Sequence, residues 1–217
     1  DQVARQMMNF IYLIGDRTTG EAVVIDPAYD PQGIINILEE DEMTLTGVLA
    51  THYHPDHVGG DMMGFSISGI TDLLNLASVP IHVQNEEAEL VDKVTGVGFD
   101  NLRTHSSGDK ISVGSIEIEL IHTPGHTPAC LTYVIGDAAF VGDTLFMPDF
   151  GTARCDFPGG SSTTMFHSIQ KILSLPDETR IFVGHDYKSP ERDEFAWETT
   201  VREQKEKNIH IKVLMLE

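Results

Sequence analysis

Cysteine and long apolar runs are both scarce in this sequence. Only Cys130 and Cys155 occur among 217 residues. Two cysteines are too few for a fold stabilised by several disulfides, and their spacing matches no zinc finger. We therefore expect both to be reduced, structural thiols. The apolar runs at 47–50 and 138–142 are far shorter than the roughly 20 residues that cross a bilayer, so the sequence predicts a soluble protein without a membrane span.

Basic residues are also few. Fourteen Lys and Arg stand against 34 Asp and Glu, which gives a formal net charge of −20 at pH 7. Such a charge repels a phosphate backbone and denies the counterion release that drives nucleic-acid binding, so we expect no nucleic-acid partner. No basic segment followed by an apolar stretch opens the chain, and we expect a cytoplasmic protein. The missing initiator methionine leaves open that a signal has been removed.

The length and the 41% hydrophobic content predict one compact domain over residues 1–217. Short apolar runs at 10–14 and 22–26 predict an antiparallel hairpin. Periodicity and turn residues predict further strands at 47–50, 80–83, 110–113, 116–121, 131–135, 138–141 and 180–183, helices at 31–40, 86–94, 163–173 and 192–207, and a helix-rich excursion at 61–77. Strands and helices follow one another in a mixed order, and this order occurs twice along the chain. It predicts an α+β fold with helices outside two sheets.

A dense set of potential metal ligands follows the strand at 47–50. His52, His54, Asp56 and His57 fall within six positions, and imidazole and carboxylate groups bind zinc, iron and manganese. One loop could present them to two metals. Pro55 fixes one backbone angle, which stiffens the loop where the ligands converge.

Three more potential ligands, His126, Asp143 and His185, each stand directly after a glycine near a strand end. A site gathered along one edge of two sheets requires such a pattern. The remaining side chains of these types lack this context, and we expect the following to be structural or on the surface: His82, His105, His167, His210, Asp26, Asp109 and Asp149.

The ligand order, His-x-His-x-Asp-His followed by separate His, Asp and His, resembles the metallo-β-lactamase superfamily over nearly the whole chain. The resemblance implies an αββα sandwich of two mixed sheets packed face to face, with helices outside. It also implies one metal on His52, His54 and His126, a second metal on Asp56, His57 and His185, and Asp143 as the bridge. The di-iron flavin branch carries Glu in place of His54, and common β-lactamases carry Cys in place of Asp143. Both branches are therefore disfavoured.

Within the superfamily, residues 142–160 resemble the persulfide dioxygenase branch, and residues 185–187, 197–201 and 208–210 support this. The stretch from 59 to about 77 looks more like glyoxalase II-like hydrolases. Two chemistries therefore stay open, and we favour the dioxygenase.

In the dioxygenase, His52, His126 and Asp143 hold a single Fe(II), and glutathione persulfide and O2 give sulfite and glutathione. The other site residues then orient ligands or handle protons: His54, Asp56, His57 and His185. In the hydrolase, all seven residues bind two zinc ions or a mixture of zinc, iron and manganese, and a metal-activated hydroxide attacks a glutathione thioester. A broader lactonase or phosphodiesterase also fits a dinuclear site.

Either substrate is an anionic thiol, so an acidic protein must supply local positive charge. Arg154, Lys188 and Arg192 are our candidates, and Tyr187 could add a hydroxyl contact. Arg154 could bind a glycine carboxylate of the substrate through two hydrogen bonds, or it could instead form a salt bridge with Asp156. Members of this branch often pair, which makes a homodimer an open expectation.

Overall fold

The computed structural model describes residues 7–211 as two packed sheets. The first sheet has the order β1-β2-β3-β6-β7 and comprises β1 (Tyr12–Asp16), β2 (Glu21–Ile25), β3 (Thr44–Leu49), β6 (Ile81–Gln84) and β7 (Leu102–His105). The second has the order β13-β12-β11-β10-β9-β8 and comprises β8 (Lys110–Val113), β9 (Ile116–His122), β10 (Leu131–Ile135), β11 (Ala138–Phe140), β12 (Arg180–Phe182) and β13 (Glu198–Thr200). A separate hairpin joins β4 (Gly60–Met62) to β5 (Phe65–Ile67).

The helices of the described residues are α1 (Pro31–Glu40), α2 (Pro55–Val58), α3 (Ile70–Leu76), α4 (Ala88–Thr95), α5 (Ser162–Leu173) and α6 (Val201–Lys207). The start of α1 follows from its sequence. Pro31 stands at the first helical position, and the Asp30 side chain accepts a hydrogen bond from the Gly33 N–H at 2.9 Å. Ile34 and Leu38, one turn apart, are buried against the first sheet.

Three apolar cores lie between the layers of the fold. The central core joins both sheets through side chains such as Val23, Leu49 and Tyr133. A second core lies between the first sheet and α1, α3 and α4, and a third lies between the second sheet and α5 and α6. This order of layers confirms the predicted αββα sandwich. Within residues 7–211, no helix has the length and apolarity needed to cross a membrane.

Two predicted helical segments were wrong. The excursion at 61–77 begins with the β4–β5 hairpin, and only Ile70–Leu76 is helical. The segment at 192–207 becomes helical only at Val201, because β13 pairs with β12 as the edge strand of the second sheet and the Thr200 hydroxyl then caps α6 by accepting from the Glu203 N–H. Strand β7 was not predicted.

Candidate metal centre

Four ligand candidates lie on the turn that leaves β3. Pro55 begins the single-turn helix α2, and His54 precedes it in extended conformation. This turn buries Asp56 and His57 and leaves His54 half-buried at the surface of a cavity. The first sheet therefore contributes its ligands from one short segment.

The second sheet contributes the other three. Asp143 and His185 follow β11 and β12, which are parallel neighbours, so both side chains emerge at the same edge of the sheet. His126 lies in the loop between β9 and β10. Gly142, directly before Asp143, has φ +48°, and a Cβ there would lie 2.7 Å from the Thr51 hydroxyl, so the close approach of the two loops needs glycine.

The first cluster consists of His52, His54 and His126. Nδ1 of His54 lies 3.1 Å from Nε2 of His52 and 3.0 Å from Nε2 of His126. Their ligand atoms lie within 4.8 Å of one another. Three imidazole nitrogens thus face a common point.

The second cluster consists of Asp56, His57 and His185. Nε2 of His57 lies 3.0 Å from Nε2 of His185, which lies 3.4 Å from a carboxylate oxygen of Asp56. Asp143 stands between the clusters: Oδ1 lies 3.4 Å from Nε2 of both His57 and His185, and Oδ2 lies 3.6 Å from Nε2 of His126. The structure brings all seven predicted ligands together.

The chemistry of these residues fits bound cations. Oδ1 of Asp143 is buried and has no hydrogen-bond partner among the described residues, an arrangement that is unfavourable unless a cation satisfies it. Burial alone raises the pKa of Asp143, but the neighbouring His185 and His57 pull it well below its ordinary value, so the carboxylate is ionised. Burial and the adjacent imidazoles lower the pKa of His52, which keeps that ring neutral and able to bind a metal.

Asp26 orients a ligand in each cluster. Its Oδ2 accepts from the Thr51 hydroxyl at 2.6 Å and from Nδ1 of His57 at 2.8 Å, and Nδ1 of His52 in turn lies 3.0 Å from the same hydroxyl. Both rings therefore carry their hydrogen on Nδ1 and turn Nε2 toward the site. Asp26 itself has φ +51°, a left-handed conformation that aspartate tolerates better than most residues.

Backbone carbonyls orient two further imidazoles. Nδ1 of His126 donates to the carbonyl of Arg154 at 2.7 Å, and Nδ1 of His185 donates to the carbonyl of Met7 at 2.7 Å. The His54 ring has no such outer partner within residues 7–211: the only hydrogen bonds of the ring join Nδ1 to the other two rings of its cluster.

A family model described as the metallo-beta-lactamase superfamily matches residues 4–185. The chain belongs to the metallo-beta-lactamase superfamily. Human "Persulfide dioxygenase ETHE1, mitochondrial" is 32% identical, over 82% of this chain and 64% of the relative, and a hydroxyacylglutathione hydrolase of Rhodospirillum rubrum is 33% identical, over 87% and 66%. A crystal structure of ETHE1 from Myxococcus xanthus aligns with TM-score 0.79 and 29% identity, covering 95% of this chain and 81% of that one.

The chain spans about half the length of some curated relatives. A "Beta-lactamase hydrolase-like protein" of Xylella fastidiosa is 41% identical over 92% of this chain, but this match covers only 49% of the relative. Membership of the superfamily makes the chain a metal-dependent enzyme domain, and the seven ligand candidates form clusters that could hold metal ions.

A cavity of about 900 Å³ opens over the metal site of this superfamily domain. Its floor includes His54, His126 and Asp143. Much of its wall is apolar or aromatic, from Met62, Met63, Phe146, Phe150, Phe157 and Tyr187. The ring of Phe157 lies 4.8 Å from that of His54, and the ring of Tyr187 stacks on that of His185 at 5.1 Å. Substrate that enters the cavity therefore meets aromatic rings beside both clusters.

The predicted substrate residues differ in their placement. Arg154 and Tyr187 line the cavity, but Lys188 and Arg192 do not. Arg192 is held by Asp186 and Asp149, and the Lys188 ammonium donates to the carbonyl of Asp193 and lies over the Phe195 ring. A role of Lys188 and Arg192 in substrate binding is therefore a prediction without geometric support.

Arg154 makes the ion pair that the sequence offered as an alternative to substrate binding. Its Nε and one terminal nitrogen each lie 2.5 Å from an Asp156 carboxylate oxygen, and the guanidinium lies 4.9 Å from the centre of the Phe157 ring. The pair holds Arg154 in place at the cavity wall and leaves the second terminal nitrogen without a bond to any described residue.

Glu87 connects the two loops that carry the first cluster. This buried carboxylate accepts from the Tyr53 N–H at 3.1 Å and from the Thr127 hydroxyl. Tyr53 stands between His52 and His54, and Thr127 follows His126. No sequence signal marked Glu87, because only the fold brings α4 between these loops. Asp26 carried a weak signal, since it also ends an apolar strand.

Replacing Glu87 by glutamine is expected to flatten the pH dependence of stability. Burial raises the pKa of Glu87 to about 7, against 4.5 for an exposed glutamate. Between these values Glu87 binds more protons in the folded state than in the unfolded state, so the contribution of this group to stability is full below pH 4.5 and is lost as pH rises through 7, by about 3 kcal/mol. Glutamine cannot ionise and keeps an oxygen for the Tyr53 N–H.

Urea unfolding at pH 5 and pH 8 measures this effect. The wild type should lose more stability between the two pH values than Glu87→Gln does. Glu89→Gln, an exposed change on the same helix, should behave as the wild type does. Equal losses in the wild type and Glu87→Gln would contradict the prediction.

Proposed function

We propose that this protein is a persulfide dioxygenase that uses one Fe(II) held by His52, His126 and Asp143. The observation that carries the proposal is the unequal burial and support of His54 and of the three proposed iron ligands. His52, His126 and Asp143 are 1%, 3% and 6% exposed, and the two imidazoles have outer hydrogen-bond partners. Two imidazoles and one carboxylate are the ligand set of non-haem iron oxygenases.

His54 lies beside these three residues but differs from them. It is half-buried, lines the cavity and has no outer partner among the described residues to fix its ring. Such a side chain is suited to touching substrate or replacing one hydrogen bond by another during a reaction. We therefore assign His54 to the substrate side of the centre rather than to the obligatory iron ligands.

Iron bound at this set would supply open positions for oxygen and for the substrate sulfur. The balanced reaction converts the persulfide anion, O2 and water to the thiol, sulfite and one proton. Asp56, His57 and His185 form a buried polar group beside it and can accept or return protons. Phe157 and Tyr187 cover two sides of the site and limit access of bulk water to the sulfur.

A second candidate function, hydrolysis of a glutathione thioester, is favoured by a different observation. The second cluster is as well built as the first: Nδ1 of His57 is held by Asp26, Nδ1 of His185 is held by a backbone carbonyl, and Asp143 reaches both clusters. Two bound metals would polarise the thioester carbonyl and activate water. The hydroxyacylglutathione hydrolase relative supports this alternative.

Metal analysis followed by two activity assays separates these functions. For a dioxygenase, we expect about one iron per chain, oxygen uptake with glutathione persulfide, release of sulfite and slow hydrolysis of S-lactoylglutathione. Two zinc ions per chain, rapid thioester hydrolysis and no oxygen uptake after full iron loading would reject the dioxygenase in favour of the hydrolase. A cytoplasmic location and a homodimer remain predictions.

A further inference from the structure

His210 lines the cavity that covers the metal site, although its sequence context gave no functional signal. Its backbone is fixed by Asn208, a fully buried side chain whose oxygen accepts from the N–H groups of His210 and Ile211. The amide nitrogen of Asn208 donates to the Gly151 carbonyl at 3.0 Å. The turn at 208–211 is therefore attached to the loop that carries Thr152 and Arg154.

The imidazole of His210 sits on Gly151, which has φ +101°. A Cβ at Gly151 would collide with Nδ1 of the ring, so the ring can occupy this position only because residue 151 is glycine. Nδ1 accepts from the Thr152 N–H at 3.1 Å, which places the ring hydrogen on Nε2. Nε2 makes no hydrogen bond to any residue between Met7 and Ile211. Gly151 and Thr152 thus fix both the position and the tautomer of an N–H donor that has no partner among the described residues.

We propose that His210 donates this N–H to a carboxylate of the substrate, together with the unpaired terminal nitrogen of Arg154. We call Thr152, Arg154 and His210 the carboxylate subsite. All three residues line the same cavity as the metal ligands, and Arg154 contributes the only Lys or Arg side chain among the described residues that line it. Because the protein carries a net charge of −20, an anionic thiol needs such local donors.

The inference deepens the proposed function, because it takes the substrate to be a thiol compound that bears a carboxylate. Its test uses binding rather than turnover, so it does not depend on which reaction the metals support. Calorimetry of the metal-loaded protein compares glutathione with cysteamine, a thiol without a carboxylate. The variants are His210→Ala, His210→Gln and, as an exposed histidine control, His167→Ala.

His210→Ala should weaken glutathione binding about tenfold, the effect of losing one charge-assisted hydrogen bond, and should change cysteamine binding less than about twofold. His210→Gln should recover most of the affinity, because its amide can accept from Thr152 and donate to the carboxylate. His167→Ala should match the wild type.

Three results would overturn the inference: equal weakening for both thiols, unchanged glutathione affinity in His210→Ala, or no binding of glutathione by the wild type. The outcome is separate from that of the proposed function. Selective loss of glutathione in a protein that consumes no oxygen would retain the subsite and reject the dioxygenase. Oxygen uptake without selective loss would do the reverse.

Discussion

His126→Ala should lose its iron and its oxygen uptake, whereas His54→Ala should keep its iron. His126 is buried, its ring is fixed by the Arg154 carbonyl, and its Nε2 faces both His54 and Asp143. Removing it takes away a ligand itself, so activity should fall by more than the roughly 10- to 100-fold lost with an outer partner. Iron content by elemental analysis and oxygen consumption with glutathione persulfide provide the two measurements.

The comparison between the two histidines distinguishes one metal from two. If His54 only faces substrate, His54→Ala retains about one iron per chain and mainly alters kinetics. If His54→Ala loses as much metal as His126→Ala does, then His54 is an obligatory ligand and the mononuclear assignment is wrong. His167→Ala, an exposed change on α5, serves as the control and should keep both metal and activity.

Asp26→Asn should weaken metal binding by about 10- to 100-fold, although the two side chains have nearly the same shape. The wild-type carboxylate accepts three hydrogen bonds, from the N–H and hydroxyl of Thr51 and from Nδ1 of His57. The asparagine amide offers only one oxygen. If its NH2 group faces His57, that ring must accept at Nδ1 and move its hydrogen to Nε2, the atom that faces the second cluster.

Metal titration with a competing chelator measures the affinity, and thermal unfolding of the metal-free protein checks that the fold survives. Asp100→Asn, at an exposed turn, is the matched control and should not change the affinity. Wild-type affinity in Asp26→Asn would show that the tautomer of His57 does not depend on Asp26.

The seven ligand candidates could be found from the sequence because their signal is local. A dense motif follows β3, and a glycine precedes each of His126, Asp143 and His185. The pairing of β11 with β12 could not be derived from sequence, yet it is what brings Asp143 and His185 to the same edge. Asp26 and Glu87 were missed as outer partners because their contacts cross 25 to 40 positions of the chain.

The errors in the predicted secondary structure have a similar origin. The apolar residues of 61–77 satisfy helical spacing, but Gly59, Gly60 and Gly64 have positive φ and allow a tight hairpin instead. For 192–207, edge pairing of β13 with β12 outweighs the helical tendency of the preceding residues. The contacts of a single side chain are also difficult to predict from sequence, as Arg154 shows. The sequence allowed both an ion pair and a substrate contact, and the structure places the ion pair at the cavity wall.

The contact between Met7 and His185 bears on how the protein acquires metal during biosynthesis. Among the described residues, Met7 is the first to be translated, yet its carbonyl orients the last of the seven ligands, 178 positions later. A ribosome-bound fragment that ends before His185 can offer the loop at 52–57 but cannot close the second cluster. A second metal on Asp56, His57 and His185 would therefore be held only after synthesis has passed His185, and shorter nascent chains would release it to a chelator.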